Sequence, residues 1–231
     1  MGYKLYKIGL VMPVSAYIHI PFCISKCKYC SFVSFTDFGQ KDKYLCALQK
    51  EINSVYKGEE LKTLYIGGGT PSLLHPDEVK TIVNSFNFST GTEITFEINP
   101  DDASADYLKK VHDIGINRIS IGAQTFNDDI LKLIGRRHSS SEIKSAVECA
   151  KEAGFKNINL DLIYGLPCQD KSVLQKDLEA ILSIDIPHIS TYGLKCDEGS
   201  YFYRHLPNNL PDDDKQAEFY EYINDVLNSN G

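Results

Sequence analysis

Three cysteines near the start of the chain are the residues best suited to chemistry. Cys23, Cys27 and Cys30 are separated by three and by two residues. Iron–sulfur cubes are held by cysteine thiolates, normally one for each iron, so a trio without an adjacent fourth predicts a [4Fe-4S] cluster with one open iron. A zinc site lacking its fourth ligand and a hairpin of packed thiols are the alternatives. Zinc sites usually combine two separated cysteine pairs, and the sequence has no second pair of that kind.

A run of three glycines and a nearby glutamate form a second group of candidates. Gly67, Gly68 and Gly69 directly follow an apolar run and precede Thr70. Because glycine has no side chain, its backbone groups can come close to a ligand; a plain tight turn is the alternative. Glu97 ends another apolar run. Its carboxylate could accept hydrogen bonds from amino or hydroxyl groups of a ligand, or it could form a surface ion pair.

The elements that must position these residues follow from the periodicity of apolar positions. Runs typical of strands alternate with amphipathic stretches of helical period. The predicted strands cover residues 17–20, 63–66, 93–98, 118–121, 158–162 and 188–192. The predicted helices cover residues 41–56, 77–86, 103–114, 139–153, 171–183 and 212–227. Asp77 and the acids at 212–214 suit helix starts, and Gly115 and Gly154 suit helix stops.

Strict alternation of strands and helices predicts the fold class. It requires parallel strands joined by right-handed crossovers, so the sequence predicts an α/β fold of barrel type. In such folds the chemistry gathers at the carboxyl ends of the strands. The cysteines and the glycines directly follow predicted strands, and Glu97 lies at the end of one. With 231 residues, 42% of them apolar, one domain is expected.

Five motifs, in order along the chain, resemble those of the radical S-adenosylmethionine superfamily. They are Tyr17-Ile-His-Ile-Pro-Phe-Cys23 with the cysteine trio, Gly67-Gly-Gly-Thr-Pro-Ser72, Glu97-Ile-Asn-Pro100, Arg118-Ile-Ser-Ile-Gly-Ala-Gln-Thr-Phe126 and Asp161-Leu-Ile-Tyr-Gly-Leu-Pro167. The first motif resembles in particular the anaerobic coproporphyrinogen III oxidase (dehydrogenase) family, including its HemW-like haem chaperone branch. The resemblance covers residues 17–199 and narrows the fold to a six-stranded partial (β/α)6 barrel of TIM type.

The resemblance implies a cluster and a cofactor at the predicted edge of the sheet. Cys23, Cys27 and Cys30 would hold the [4Fe-4S] cluster, with S-adenosyl-L-methionine on the open iron. The first cofactor molecule would contact Tyr17, Tyr29, Ser31, Gly68, Gly69, Thr70 and Glu97. Reductive cleavage of this cofactor would require an electron donor of flavodoxin or ferredoxin type. The two tyrosines could equally be ordinary core aromatics, and a hydrogen-bonded role beside the site is expected for His19.

A second cofactor site is also implied. Gln124, Arg136, Asp161 and Gly193 match positions that bind a second S-adenosylmethionine in the dehydrogenase branch. Arg136 could instead be an exposed cation at a helix end beside Arg137. Asp161 could be a carboxylate at the sheet end that pairs with Arg136.

Two departures from the family pattern bear on function. The dehydrogenases have a fourth cysteine two residues after the third, where this chain has Phe32. This favours a haem chaperone, which binds haem and hands it to an accepting protein. An enzyme that decarboxylates coproporphyrinogen III to protoporphyrinogen IX and a truncated scaffold that only binds the cluster are the alternatives. No catalytic residue is assigned beyond these ligands.

The second departure is length. Family members continue into a further domain that carries the histidine motif for haem, so we expect the chain to be truncated at its C-terminus. Residues 1–16 are predicted to be an N-terminal extension and residues 17–231 the barrel. Haem binding is then expected only in a longer form. Loss of the further domain would also expose Tyr201, Phe202 and Tyr203.

Charge and cysteine content limit partners and location. A net charge of −7 without a basic cluster argues against a nucleic-acid surface or a membrane surface. No apolar run approaches the roughly 20 residues of a membrane span. The seven cysteines are an odd number, and four of them, Cys46, Cys149, Cys168 and Cys196, lack paired spacing. This indicates free thiols in a reducing compartment, so a cytoplasmic location is expected. Lys4 and Lys7 before the apolar residues 8–16 superficially resemble a signal peptide, which is the less favoured alternative.

Overall fold

One parallel sheet organises the part of the chain that the structure describes. The computed structural model describes residues 15–230. Within this range six strands pair in parallel in the order β1 to β6, so each strand lies beside the next one in sequence. The strands are β1 Ser15–Ile20, β2 Glu60–Gly68, β3 Asn87–Ile98, β4 Arg118–Gln124, β5 Asn157–Tyr164 and β6 His188–Gly193. All six strands predicted from the sequence are present, and the predicted α/β fold is confirmed.

Helices follow the strands and cover one face of the sheet. They are α1 Lys41–Val55, α2 Pro76–Val83, α3 Ala105–Ile114, α4 Asp128–Leu133, α5 Ser140–Glu152, α6 Lys171–Leu182, α7 Tyr201–Arg204 and α8 Asp213–Ser229. The six longer helices that the sequence predicts are confirmed. The short helices α4 and α7 were not predicted, because one or two turns are too short to show a helical period.

The main core lies between this helical layer and the sheet. Alternate strand residues, such as Ile66, Phe96, Ile121 and Leu160, are fully buried there against the helices. The residues between them point to the opposite face, because successive side chains of a strand alternate. We call the face under the helices the outer face and the opposite one the inner face.

Local sequence signals explain where several helices begin and end. Ser104 caps α3 by accepting a hydrogen bond from the backbone of Tyr107, and Gly115 ends the helix in the left-handed region at φ 115°. Asp212 caps α8 as predicted. Helix α2 begins one residue earlier than predicted, with His75 as its cap and Pro76 in its first turn.

The N-terminal segment and the aromatic residues at 201–203 differ in part from what the sequence predicts. Strand β1 begins at Ser15, so the last two residues assigned to the N-terminal extension lie in the sheet. Residues 1–14, including the signal-like segment, lie outside the described residues. Tyr201 and Tyr203 are exposed as expected, but Phe202 is buried, because it packs in a second small apolar cluster with Leu131 and Leu166.

Candidate functional site

A cavity of about 440 Å³ opens at the carboxyl ends of the strands. Its lining brings together the following residues singled out from the sequence: Cys23, Cys27, Tyr29, Cys30, Ser31, Gly68, Gly69, Thr70, Glu97, Gln124, Arg136, Asp161 and Gly193. Tyr17 is the exception, since it is not among the lining residues. The cavity therefore gathers residues that are far apart in the sequence into one site.

The cysteines lie on the loop that follows β1. This loop is anchored at its base, where Cys23 N donates to Phe35 O at 3.0 Å and Phe35 N donates to Pro21 O at 2.8 Å. Polar groups from other elements approach two of the sulfurs. Thr70 Oγ1 lies 3.6 Å from Cys23 Sγ, and Arg136 Nη1 lies 3.5 Å from Cys27 Sγ.

The donor set suits a cluster better than a single ion. In the part of the chain that is described, no three His, Cys, Asp or Glu side chains converge closely enough to hold one metal ion. Ligands of a cube bind different irons and therefore stand apart around it. Burial raises the pKa of the Cys30 thiol, and the neighbouring Cys27 and Cys23 add to this shift. A bound cationic cluster would offset this effect, because metal binding displaces thiol protons. These observations fit an iron–sulfur cluster.

The glycine turn after β2 is required first by the protein itself. A Cβ at Gly69 would lie 2.9 Å from Cys23 Sγ and 2.7 Å from Phe22 O. At Gly68, where φ is 118°, a Cβ would lie 2.7 Å from His19 Nδ1. The glycines thus allow β2 to approach the cysteine loop, while Gly68, Gly69 and Thr70 also line the cavity. A plain tight turn would not require these close approaches, so that interpretation is excluded.

Glu97 is held in place at the end of β3. Tyr65 Oη donates to its Oε1 at 2.7 Å, and Gly68 N donates to its Oε2 at 3.0 Å. Burial raises the pKa of Glu97, those hydrogen bonds oppose the shift, and Asp161 across the cavity adds to it. The carboxylate is therefore an internal cavity group, which excludes the surface ion pair considered above.

Arg136 reaches into the cavity between the cysteine loop and the sheet. Its Nη2 donates to Asn99 Oδ1 at 2.7 Å and to Gly122 O at 2.8 Å. Its Nε is buried and has no hydrogen-bond partner among the described residues. The adjacent Arg137 instead binds Asp101 and lies 3.4 Å from Asp102. The two arginines thus have different environments, and Arg136 is not an exposed helix-end cation.

Asp161 and Gln124 lie on the cavity floor. The Asp161 carboxylate accepts hydrogen bonds from Asn159 Nδ2 at 2.8 Å and Ser120 Oγ at 3.2 Å, not from Arg136. Burial raises its pKa, and these hydrogen bonds oppose the shift. Gln124 has a φ of 68°, an uncommon conformation for a residue other than glycine.

The aromatic residues divide between the cavity and its surroundings. Burial raises the pKa of Tyr29, which lines the cavity. Tyr17 lies outside the lining: its ring stacks on Tyr65 at 6.0 Å, and its hydroxyl is 3.0 Å from His19 Nδ1. His19 Nε2 is 2.8 Å from Val33 O, so this histidine ties β1 to the end of the cysteine loop.

Several lining residues were not singled out from the sequence, among them Asn99, Ser120 and Tyr192. Asn99 bridges Arg136 and Thr70, to whose Oγ1 it donates at 3.1 Å, while Ser120 and Tyr192 line the cavity from β4 and β6. Strand parity could have identified Ser120, because it lies two residues before Gly122 and so shares its face. Asn99 lies within the motif that runs from Glu97 to Pro100, but nothing in the sequence assigns it a role of its own.

Comparisons with known proteins agree with this geometry. The family model of the Radical SAM superfamily matches residues 17–181. A heme chaperone HemW from Lactococcus lactis is 41% identical over 96% of this chain and 60% of its own length. The HemW of Escherichia coli is 37% identical over 95% of this chain and 60% of its own length. The chain thus spans about 60% of the length of these relatives.

Among solved structures, the coproporphyrinogen III oxidase HemN of Escherichia coli, described as a radical SAM enzyme, superposes with a TM-score of 0.86. It is 28% identical and is matched over 95% of this chain and 53% of its own. An archaeal Elp3 from Methanocaldococcus infernus superposes with a TM-score of 0.62 at 17% identity, which shows the shared fold.

Proposed function

The chain belongs to the radical S-adenosylmethionine superfamily, a family that implies a [4Fe-4S] cluster and S-adenosylmethionine, and from this premise we propose how its own residues bind them. Cys23, Cys27 and Cys30 hold the cluster. The observation that carries this proposal is that the three cysteines line one cavity with the glycine turn and Glu97.

Different cavity residues contact different parts of the cofactor. When bound, cluster and cofactor together supply one-electron reductive cleavage of a sulfonium and hydrogen abstraction. Glu97 accepts from the amino or ribose hydroxyl groups, and the cationic Arg136, which lines the cavity, attracts an anionic group. Tyr29, Ser31 and the turn that carries Gly68, Gly69 and Thr70 form the surrounding walls.

Gln124, Arg136, Asp161 and Gly193 line the same cavity and are candidates for a second cofactor molecule. The rim at Tyr192 would shield the reacting groups from water. An electron donor of flavodoxin or ferredoxin type is the implied partner.

A haem chaperone is the function that we favour for the whole protein. The relatives from Lactococcus lactis and Escherichia coli are both named heme chaperone HemW. Phe32, in the place where the dehydrogenases have a fourth cysteine, lines the cavity and is 65% exposed. Haem, and a protein that accepts it, would be the further partners. Because the cluster thiolates need reducing conditions, the protein would act in the cytoplasm. Within residues 15–230, no helix is both long and apolar enough to cross a membrane.

Oxidative decarboxylation of coproporphyrinogen III is the second candidate, because the HemN structure superposes with a TM-score of 0.86. A scaffold that binds the cluster without further activity is the third. Anaerobic haem titration and an assay with coproporphyrinogen III, both on the longer form in which haem binding is expected, separate the three. Haem binding without turnover supports the chaperone, turnover above a cluster-free control supports the oxidase, and neither result supports the scaffold.

The cluster proposal is tested by the iron and sulfide content of anaerobically reconstituted protein. We expect about four of each per chain. Replacing Cys23, Cys27 or Cys30 by Ala should remove the cluster. Matched changes of the remaining cysteines, Cys46, Cys149, Cys168 and Cys196, should leave the content unchanged, since none of these four lines the cavity. Loss of iron in one of these four control variants would contradict the assignment.

A further inference from the structure

Asn159 is a fully buried amide on the inner face of β5, directly below the cavity floor. Its Nδ2 donates to Ser120 Oγ at 2.8 Å and to Asp161 Oδ1 at 2.8 Å. Its Oδ1 accepts from Ser190 Oγ at 3.1 Å and lies within hydrogen-bond distance of His188 Nδ1. The side chain therefore uses both of its donors and both of its acceptor positions.

The carboxylate fixes the orientation of this amide. An ionised Asp161 can only accept hydrogen bonds, so the amide nitrogen of Asn159 must face it. The amide oxygen then faces His188, whose Nδ1 must carry a proton to donate to it. The hydrogen-bond network, and not the shape of the side chain, determines this orientation.

Arg118 competes for the same histidine nitrogen. Its Nη2 lies 3.1 Å from His188 Nδ1. A guanidinium only donates, so Arg118 can bond to Nδ1 only when that nitrogen carries no proton. The two contacts exclude each other on one nitrogen, and Asn159 decides which of them forms.

A buried amide in the middle of a strand lowers the stability of the fold unless its hydrogen bonds are made. Burial of an amide is tolerated only when its hydrogen bonds are made, and asparagine is disfavoured in strands. Its strand neighbours Ile158 and Leu160 lie in the apolar core on the outer face. Without Asn159, Asp161 would keep the hydrogen bond from Ser120 and the nearby Ser190 hydroxyl, but its Oδ1 would lose the amide donor.

We propose that Asn159 is a positioning residue that aims the Asp161 carboxylate into the cavity and, through its other end, locks His188 in the Nδ1–H tautomer. This links the cavity floor to the amino end of the barrel, where His188 begins β6. The part that concerns the cofactor rests on the function proposed above; the part that concerns the tautomer does not.

The tautomer is measured first, by nitrogen NMR of the full, cluster-free chain with 15N-labelled histidine, at about pH 8. The His188 signals are assigned from their absence in His188→Gln. We expect the Nδ1–H tautomer in the unmodified chain. In Asn159→Ala, Arg118 becomes the donor to Nδ1, and the proton should move to Nε2.

Asn157 provides a matched control on the same strand and the same face. It donates from Nδ2 to Glu93 Oε2 at 3.3 Å and does not contact Asp161. Asn157→Ala should leave the His188 tautomer unchanged. An Nε2–H tautomer in the unmodified chain, or an unchanged tautomer in Asn159→Ala, would overturn the proposal without any use of the cofactor.

The positioning of Asp161 is then tested by the affinity of the reconstituted protein for S-adenosylmethionine. Asn159→Asp has nearly the same shape but turns a carboxylate oxygen toward Asp161. It should weaken binding about tenfold, whereas the matched Asn157→Asp should not. Equal affinities would refute the positioning role. If the unmodified protein does not bind the cofactor at all, the proposed function is wrong, and the NMR result alone decides the hydrogen-bond assignment.

Discussion

The two faces of the sheet have opposite chemistry although they are made by the same strands. On the outer face, Phe96 and Ile121 are fully buried against the helices. On the inner face, their neighbours Glu97 and Ser120 are polar and line the cavity. The outer face therefore carries the stability of the fold, and the inner face is free for binding. Changes on the two faces should have separable effects.

The largest expected effect is the loss of stability when a core side chain of the outer face is truncated. Phe96→Ala should lower the free energy of unfolding by about 3 to 5 kcal/mol, because it leaves a cavity in the core. Glu97→Gln, one residue further on and on the other face, should change it by less than about 1 kcal/mol. Urea denaturation of both variants measures the difference. Similar losses would refute the division between the faces.

A buried polar cluster in the helical layer is an exception to the apolar character of the outer face. Asp177 on α6 is 2% exposed and accepts hydrogen bonds from Thr125 Oγ1 and from Phe126 N, just beyond the strained Gln124. Burial raises the pKa of Asp177 from 3.8 to about 6, against the effect of these hydrogen bonds. Ionisation of Asp177 is therefore less favourable in the folded protein than in the unfolded chain.

This shift predicts a pH dependence of stability. The unfolded chain loses the Asp177 proton first, so the free energy of unfolding falls as the pH rises from 3.8 to about 6. Asp177→Asn should remove this contribution, and the curves of the two proteins should diverge by about 3 kcal/mol across that range. Chemical denaturation at several pH values measures the divergence. Parallel curves would show that Asp177 does not titrate in this way.

On the inner face, the expected effect is on binding. Glu97→Gln should weaken the affinity for S-adenosylmethionine by about 10-fold to 100-fold, because a charged acceptor is lost. Glu93→Gln is the matched control, since Glu93 lies on the same strand and face but is exposed and does not line the cavity. Equilibrium binding to the reconstituted protein measures both variants. Equal weakening would mean that the loss of charge, not its position, matters.

The smallest expected effect concerns a helix cap outside both faces. Ser104→Ala removes the side chain that caps α3 and should lower the free energy of unfolding by about 1 kcal/mol. The affinity for the cofactor should stay the same, because Ser104 is not part of the cavity lining. A combined loss of stability and affinity would show that the helical layer and the site are coupled.

Much of the outer face could be predicted from the sequence, and less of the inner one. Apolar periodicity is local, so it revealed all six strands. The candidate ligand residues taken from the resemblance to the superfamily, with the exception of Tyr17, all line the cavity. The environment of Arg136 could not be predicted, because its partners are distant in sequence: Asn99 directly follows β3, and Gly122 lies on β4. Arg137 beside it is chemically identical. The exclusion of Tyr17 from the lining likewise depends on packing against Tyr65.

The most direct test of the central claim is the paramagnetic spectrum of the reduced cluster with and without S-adenosylmethionine. If the cysteine trio leaves one iron open beside the glycine turn, the cofactor will bind that iron and change the spectrum of the unmodified protein. Glu97→Gln should need more cofactor for the same change. A spectrum that stays unchanged at saturating cofactor would contradict the claim that this cavity joins cluster and cofactor.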